Sequence, residues 1–472
     1  MKWDFRLKMI LSAFLVVWIS SSALVGCATP VNAAKLDELT LQETKTALKN
    51  AYIYTLPLAM VNATREKMLL LAPSNTLVHT KKLSDSDTRI VVTPNVDTLY
   101  SQAFLNLSKE EAMVLEKPAA DRYFMIQVMN AYTDNIQILG TGADGQDANT
   151  YLFTRKDYKG KVPPGMMHIK VDTDMVWILI RIVCADAADY PNVYALQEKT
   201  KLMPLENYLS GEPYVPELEE SPHDSSFVPI QYVMSLPAKA YFDIANQLMV
   251  NNPPKVQDKA MMRELAKVNV GPGLVFDDSI LGENKAVFWQ QIKTEANLAA
   301  AQETLGFNTS NGAWSYFDKP IGDYGTEYGY RAMVSLRGLA ANPIDSAVYA
   351  KTTVDGAGNP LNGSNQYKIH FEKDALPPVE DFGFWSITVY GQDDFLIANE
   401  ENKYAITDRT PFVKNADGSL DLYVSMEVPQ NVDPANWLPV LPADFHLFLR
   451  IYVPSKDVAK GKWSTPTIEK ME

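Results

Sequence analysis

The chain has 472 residues, of which 46% are hydrophobic and 21% are charged, and its formal net charge is -14. This composition is typical of a globular protein with a large core, and the length predicts two or three domains. Because so acidic a surface repels phosphate backbones, the charge argues against nucleic acid as a partner.

The first residues have the features of an export signal. Lys2, Arg6 and Lys8 precede an apolar run, MILSAFLVVWISSSA. This run is short for a membrane-spanning helix and has the length of the apolar region of a signal peptide.

The next motif, Leu24–Cys27 (LVGC), resembles the processing box of bacterial lipoproteins. Cleavage before Cys27 would remove a signal peptide of residues 1–26 and leave a cysteine that carries palmitate and other acyl chains. The alternative is an ordinary secretory signal with a chance cysteine. We predict the lipoprotein, with Cys27 as the lipidation site and the membrane as its partner. Because Ala28 rather than aspartate follows, we expect the periplasmic face of the outer membrane rather than the inner membrane.

Residues 27–39 are predicted as a tether, and residues 40–237 as an N-terminal helix followed by a first β-domain. Thr40 and Glu43 form a capping-box pattern that predicts the start of the helix, and Pro57 is expected to kink or divide it. Short runs rich in Val, Ile, Tyr and Phe then predict about seven strands. Two runs are apolar on both faces and are expected in the centre of a sheet: RYFMIQVM and MVWILIRIV.

Between residues 238 and 344 the apolar period changes to that of amphipathic helices. A second β-domain is predicted for residues 345–472, including a hairpin with Asp417 and Gly418 in its turn. The predicted fold class is therefore mainly β with α. It has two jelly-roll or β-sandwich domains, a helical insertion between them and an N-terminal helix.

Two sets of motifs resemble a pair of bacterial domain families. TPNVDTLYS (Thr93–Ser101) and RYFMIQVMNAYTDNIQILGTG resemble domain of unknown function 1254. YGYRAMVSLRGLAANPIDSAVY, FWSITVYGQDDFLIANEENKYAI and NWLPVLPADFHLFLRIYVP resemble its C-terminal companion, domain of unknown function 1214. The resemblance implies two jelly-roll β-domains with added helices, similar to folds of large DNA virus capsids and of a peptide N-glycosidase, and it implies no activity. Val96 stands where the family pattern often has a second asparagine, so no role that needs that amide is expected here.

Asp97 and Asp134 are the candidate catalytic residues. The sequence Asn-Val-Asp after Pro94 is typical of an Asx turn, in which these side chains serve only the backbone. Alternatively, Asp97 acts as an acid, a base or an acceptor for a sugar hydroxyl. Two carboxylates about 5 to 10 Å apart are the arrangement that glycosidases use. A hydrolase therefore requires both carboxylates in one open pocket, whereas a structural role predicts that arginine or backbone amides hold each of them.

Six further residues are candidates for binding a glycan or another small polar ligand, because such ligands contact aromatic faces, amides and guanidinium groups. The same residue types also build β-sheet cores and corners, and both interpretations stay open for each residue. The candidates are Asn95, Tyr100, Arg122, Tyr132, Trp437 and Arg450.

Sequence motifs for cofactors, metals and activated nucleophiles are missing. The five histidines have no ligand spacing, no Gly-x-Ser-x-Gly is present, and Cys184 lies in a buried-strand pattern. We therefore predict no cofactor and no metal.

Three functions follow from these observations: a cell-envelope binding or assembly module for a glycan or small polar ligand, which we favour; an envelope hydrolase of glycans or glycopeptides; and a capsid-like structural assembler. The sequence makes no prediction of the oligomeric state.

Overall fold

The computed structural model describes residues 31–89, 92–303, 308–317 and 319–472. The predicted signal peptide and Cys27 lie outside the described residues. Residues 44–472 form one compact unit. Within the described ranges, no helix is both long enough and apolar enough to cross a bilayer.

Helix α1 spans Val31–Met68, so it begins upstream of the predicted start at Thr40. Pro57 lies inside this helix and does not divide it. Between Ala47 and Ala63 almost all side chains are buried, as expected for a helix that is apolar around its circumference. This part of α1 is therefore a core element.

Nine short strands of the described chain form a first β-sandwich. They are β1 (Val78–His79), β2 (Thr98–Asn106), β3 (Ala112–Lys117), β4 (Phe124–Asn130), β5 (Asn135–Gly140), β6 (Asn149–Arg155), β7 (Met167–Val171), β8 (Met175–Val183) and β9 (Lys201–Pro204). One sheet has the order β1-β2-β8-β4-β5, and the other has the order β7-β6-β3-β9. Helix α2 (Tyr190–Lys199) lies between β8 and β9, and α3 (Leu205–Ser210) follows β9.

The core of this sandwich lies between the inner faces of the two sheets. Leu99, Phe124 and Ile180 of the five-stranded sheet pack with Leu115 and Phe153 of the other sheet. The strands β4 and β8 are buried along their whole length and lie side by side in the five-stranded sheet, as predicted. Both of their faces are apolar because the outer face of this sheet is covered as well.

A helical region follows the first sandwich and covers part of that outer face. Its helices are α4 (Pro229–Ser235), α5 (Ala238–Asn251), α6 (Lys259–Ala266), α7 (Lys285–Glu303) and α8 (Tyr328–Arg337). Phe104 and Trp177 of the sheet belong to the same core as Tyr52 of α1, Tyr241 of α5 and Trp289 of α7. These aromatic contacts hold the helices against the sheet.

The remaining strands form a second β-sandwich. They are β10 (Asn308–Asn311), β11 (Trp314–Phe317), β12 (Ala347–Thr352), β13 (Tyr367–Phe371), β14 (Val379–Gly391), β15 (Ala405–Thr407), β16 (Leu420–Ser425), β17 (Trp437–Pro439), β18 (Phe445–Pro454) and β19 (Thr467–Lys470). The larger sheet has the order β10-β11-β12-β18-β14-β15, and the smaller has the order β17-β16-β13-β19. A short helix, α9 (Lys456–Ala459), follows β18.

The prediction of a β-hairpin around Asp417 and Gly418 is wrong. The turn exists, since Gly418 N–H donates to the Asn415 carbonyl over 2.9 Å, but no strand precedes it. Val413 instead exchanges two hydrogen bonds with the side chain of Asn436. The backbone of Val413 is thus hydrogen-bonded to Asn436 and not to β16, which pairs with β13 and β17.

The two sandwiches meet through the outer faces of their larger sheets. Tyr123 and Val183 of the first sheet form one buried cluster with Phe384 and Tyr452 of the second. The predicted fold class is thereby confirmed: the described residues form four sheets in two β-domains, a helical region between them and an N-terminal helix.

Candidate ligand-binding cleft

The segment Thr93–Asp97, which we call the clasp, crosses from the first sandwich to the second. Asn95 Oδ1 accepts hydrogen bonds from the backbone N–H groups of Asp97 and Thr98, which makes the predicted Asx turn. Three further hydrogen bonds fix the clasp to the second sandwich: Asn95 Nδ2 to Tyr452 Oη (2.6 Å), Tyr390 Oη to the Pro94 carbonyl (2.7 Å) and Arg450 Nη2 to the Thr93 carbonyl (3.0 Å).

Asp97 is completely buried, with 0% of its surface exposed. Ser386 Oγ donates to its Oδ2 over 2.6 Å, and Arg409 Nη2 donates to its Oδ1 over 3.2 Å. Both carboxylate oxygens are therefore bound by the second sandwich, and neither faces solvent. This is the arrangement expected of a structural carboxylate and not of a catalytic one.

Asp134 belongs to a different network and is 3% exposed. Its Oδ2 accepts from Asn130 Nδ2 over 3.0 Å and pairs with Lys255 Nζ over 2.9 Å. Asn130 Oδ1 in turn accepts from the Asp134 backbone N–H over 3.0 Å. The loop between β4 and β5 is thus closed around its own side chains.

The structure does not bring Asp97 and Asp134 together. Thr98, the residue after Asp97, pairs with Val183 of β8. Asn130, whose side chain binds Asp134, pairs with Val176 of the same strand. At a strand rise of 3.3 Å per residue this separation along β8 is roughly 20 Å. Paired carboxylate chemistry requires about 10 Å or less, so these two residues do not form a catalytic pair.

Several predicted ligand-binding residues are interior instead. Trp437 is 4% exposed and donates its indole N–H to Ser425. Tyr132 is buried and donates to the Asn252 carbonyl over 2.7 Å. Arg450 is buried beneath the clasp. These residues pack within the fold or brace it.

Tyr100 is half-buried beside the guanidinium of Arg181, which lies 5.6 Å from its ring centroid. Arg181 is satisfied by the Gln127 and Asn342 side chains and by the Ala340 carbonyl. Tyr100 therefore lies in the buried contact beside Arg181 and does not line the open cleft described next. Asn95 likewise serves the clasp.

Arg122 is the predicted residue that reaches an open site. It lines a cleft of about 470 Å³ at the junction of the two β-domains, within the size range of small-molecule sites. The first sandwich contributes the end of β8 and the start of α2, and the second contributes Arg409. The main lining residues are Arg122, Val183, Asp186, Asp189, Asn192 and Arg409.

Paired charges organise this cleft. Arg122 Nη1 donates to Asp189 Oδ2 over 2.6 Å, and Asn192 Nδ2 donates to Asp189 Oδ1 over 2.9 Å. Arg409 joins the cleft to the clasp, since it contacts Asp97 with one nitrogen and Asp408 with another over 2.8 Å. Guanidinium, carboxylate and amide groups in one open cleft are able to donate and accept hydrogen bonds to a polar ligand.

Burial raises the pKa of the Asp408 carboxyl to about 6, and the charge of nearby Asp97 adds to this rise. Burial also raises the pKa of the Cys184 thiol to about 12. Although Cys184 lies next to the cleft in sequence, it is therefore protonated at neutral pH and unsuited to nucleophilic chemistry. In the part of the chain that the structure describes, no cluster of three or more His, Cys, Asp or Glu side chains is arranged to hold a metal ion.

Four polar residues of the cleft were not predicted: Asp186, Asp189, Asn192 and Arg409. The first three lie in ADAADYPN, where an aspartate caps a helix start that also contains proline. That pattern signals the helix but not the cleft. Arg409 comes from the other sandwich, and no local pattern in the sequence links it to Arg122.

Comparison with known proteins agrees with this architecture. The family model "Protein of unknown function (DUF1254)" matches residues 74–204, and "Protein of unknown function (DUF1214)" matches residues 346–456. No curated protein matches the chain.

Solved structures that match the chain include two bacterial proteins. The VPA0106 protein from Vibrio parahaemolyticus is 20% identical, with a TM-score of 0.69, and the match covers 91% of this chain and 100% of that one. A putative uncharacterized protein from Burkholderia cenocepacia is 12% identical, with a TM-score of 0.44, over 93% of this chain and 96% of the other. At these identities the first likeness shows a shared fold and no shared activity. The chain belongs to the proteins that combine an N-terminal DUF1254 domain with a C-terminal DUF1214 domain.

Proposed function

We propose that this protein is a binding module of the bacterial cell envelope, and that its cleft between the β-domains takes a glycan or another small hydroxylated ligand. One observation carries the proposal: an open cleft of about 470 Å³ lined by residues from both β-domains, in which Arg122, Asp189 and Asn192 supply hydrogen-bonding groups. Sugar hydroxyls both donate and accept hydrogen bonds, as Arg122, Asp189 and Asn192 do together.

The hydrolase alternative has no comparable support. The two acids on which it depended are buried and lie at opposite ends of one sheet. No observation favours the capsid-like assembler over a binding module. We therefore develop the binding function alone.

The test is calorimetric titration of the full chain, purified in detergent, with a panel of neutral and charged monosaccharides. We expect saturable binding that Arg122→Gln and Asn192→Ala weaken by roughly tenfold or more, because each variant removes a hydrogen-bonding group from the cleft. The matched control is Arg263→Gln, since Arg263 is exposed on α6. The absence of saturable binding to every sugar, or equal binding by all variants, would reject the proposal.

The envelope location is a second part of the proposal, and LVGC with Cys27 supports it. Labelling of bacterial cells with palmitate tests it directly. We expect Cys27→Ser to abolish incorporation. Cys184→Ser is the control, because Cys184 is buried in the fold and should not affect acylation. Label that persists in Cys27→Ser would refute the anchor without bearing on the cleft.

A further inference from the structure

The segment Arg155–Lys170 (RKDYKGKVPPGMMHIK) is basic, although the chain as a whole has a net charge of -14. It contains five basic residues and one acidic residue, Asp157. Lys159, Lys161 and Lys170 are exposed, and no carboxylate among the described residues forms an ion pair with them. The segment therefore presents positive charge to solvent on an otherwise acidic molecule.

Ion pairs neutralise the other two basic residues of the segment. Arg155 Nη1 lies 3.0 Å from Asp174 Oδ1, and Lys156 Nζ lies 3.8 Å from Asp172 Oδ2. The positive charge that remains is that of the three exposed lysines, which outnumber the one acid of the segment.

The backbone that carries two of these lysines is folded on itself. Tyr158 N–H donates to the Arg155 carbonyl over 3.2 Å. The ring of Tyr158 lies over Gly160 so closely that an added Cβ would overlap it. Lys159 and Lys161, on either side of Gly160, are thus held by an ordered loop, which reduces the entropy lost when they bind a partner.

Exposed aliphatic side chains lie beside the basic segment. Arg155 Nη1 donates to the Asn251 carbonyl over 3.2 Å, which joins the segment to the end of α5. The preceding residue of α5, Val250, is 49% exposed, and Val275 in the loop after α6 is 73% exposed. That loop contacts Val250, since a Cβ added to Gly273 would lie 3.6 Å from Val250 Cγ2. Basic and apolar groups are therefore neighbours on one surface.

Lysine and exposed aliphatic side chains together fit an anionic lipid surface. Acidic headgroups attract the lysine ammonium groups, and aliphatic side chains become buried at the boundary between headgroups and acyl chains. A soluble polyanion would pair with the lysines but would leave the valines in water. Because the rest of the chain has an excess of acidic residues, its repulsion from acidic lipid would turn this surface toward the bilayer.

We propose that this surface rests on a bilayer that contains anionic phospholipid. We call it the basic face, and it consists of the segment Arg155–Lys170 with Val250, Leu274 and Val275. It is separate from the cleft and from Cys27. Its role is to orient the folded body on the membrane, whereas the predicted acyl chains would attach it.

Protection of lysines from acetylation tests the proposal. The full chain is freed from detergent in the presence of vesicles of phosphatidylcholine, either alone or with phosphatidylglycerol at about one third of the lipid. Mass spectrometry then measures the acetylation rate of each lysine. We expect Lys159, Lys161 and Lys170 to react at least roughly threefold more slowly on the anionic vesicles. This protection should disappear at about 0.5 M salt, because salt screens the attraction. Lys414, which is exposed between β15 and β16, should react equally on both kinds of vesicle.

A charge variant separates this contact from general crowding at the membrane. Lys159→Gln with Lys161→Gln should abolish the protection of Lys170, because two of the three attracting charges are lost. The matched control is Lys373→Gln with Lys414→Gln, at two exposed positions of the second sandwich, and it should leave the protection of Lys170 unchanged. All four replaced side chains are exposed, so both variants should fold.

A second variant tests the apolar part of the basic face. Val250→Ser with Val275→Ser should reduce the protection of the lysines to less than about half, because these side chains would no longer be buried in lipid. Equal reactivity of the three lysines on neutral and anionic vesicles would overturn the proposal, as would equal protection of Lys414. If dextran sulfate protects the lysines as strongly as anionic vesicles do, and the serine variant keeps full protection, the partner is a soluble polyanion and the lipid assignment is overturned.

Discussion

Asp97 shows why a conspicuous acid in a sequence motif need not be catalytic. Its two oxygens are bound by Ser386 and Arg409 of the other β-domain, and it has no exposed surface. We expect Asp97→Asn to lower the free energy of unfolding by about 2 kcal/mol, because Arg409 would lose one of its two carboxylates at a partly buried position. Urea denaturation measures this change.

Asp323→Asn is the control for this substitution, since Asp323 is exposed and its replacement should change stability by less than about 0.5 kcal/mol. A loss no larger than that in Asp97→Asn would contradict the structural role. Asp134, the other candidate acid, pairs with Lys255 in a separate network. We expect its replacement by asparagine to lower the free energy of unfolding for the same reason.

Asp408 provides a pH-dependent prediction. Its pKa is raised to about 6 in the folded chain, mainly by burial and then by Asp97, against an ordinary value near 4. A group with a raised pKa stabilises the fold fully at low pH, and this contribution is lost as pH rises through the folded pKa. We therefore expect Asp408→Asn to stabilise the protein at pH 7 by about 1 kcal/mol, after allowance for solvent screening of this partly exposed group.

Between about pH 4 and pH 7 the difference in unfolding free energy between Asp408→Asn and the unaltered chain should grow from near zero. Urea denaturation at the two pH values measures it, with Asp323→Asn at an exposed position as the control. A variant that is less stable than the unaltered chain at pH 7 would show that attraction to Arg409 outweighs burial and Asp97.

At the scale of elements, the clasp holds a strained residue. Thr93 has a φ of 46°, a left-handed conformation that β-branched residues rarely adopt. Its backbone is fixed from both sides, by the Asp394 carbonyl over 2.7 Å and by Arg450 over 3.0 Å. Contacts with the second sandwich therefore impose this conformation on the chain.

Asparagine tolerates the left-handed region better than threonine does. We expect Thr93→Asn to raise the free energy of unfolding by roughly 0.5 to 1 kcal/mol through relief of this strain. Thr326→Asn, at an exposed residue without a positive φ, should have little effect. Destabilisation by Thr93→Asn in urea denaturation would mean that packing of the threonine side chain outweighs the strain.

The sequence predicted elements well where a local pattern determines them. RYFMIQVM and MVWILIRIV became the central strands β4 and β8 because their apolar character on both faces requires cover on both sides. The hairpin at Asp417 and Gly418 was not formed, because the distant Asn436 binds the backbone that a hairpin strand would have used. A turn signal specifies the turn but not the partner of the strand beside it.

At the scale of the whole molecule, the cleft was beyond prediction because its parts are distant in sequence. Asp97 and Arg409 are 312 residues apart, and Arg122 and Asp189 are 67 apart. Single residues such as Arg122 could be singled out by type, but their common site arises only when the larger sheets of the two sandwiches pack together. The motif around Asp97 joins the two domains, since its side chains bind residues of the second sandwich.

This joining predicts that the β-domains unfold together. The clasp and the buried cluster around Tyr123 and Tyr452 connect them, and residues 44–472 form one compact unit. Differential scanning calorimetry of the full chain in detergent should therefore give one transition, with equal calorimetric and van't Hoff enthalpies.

The double variant Asn95→Ala with Asp97→Ala removes the clasp contacts to Tyr452, Ser386 and Arg409. It should split the transition or lower the ratio of van't Hoff to calorimetric enthalpy, because the first sandwich with its helices and the second sandwich each keep their own core. Glu220→Ala with Asp323→Ala, at exposed positions, should retain the single transition. Two transitions in the unaltered chain would instead show that the clasp positions the cleft without coupling the stability of the domains.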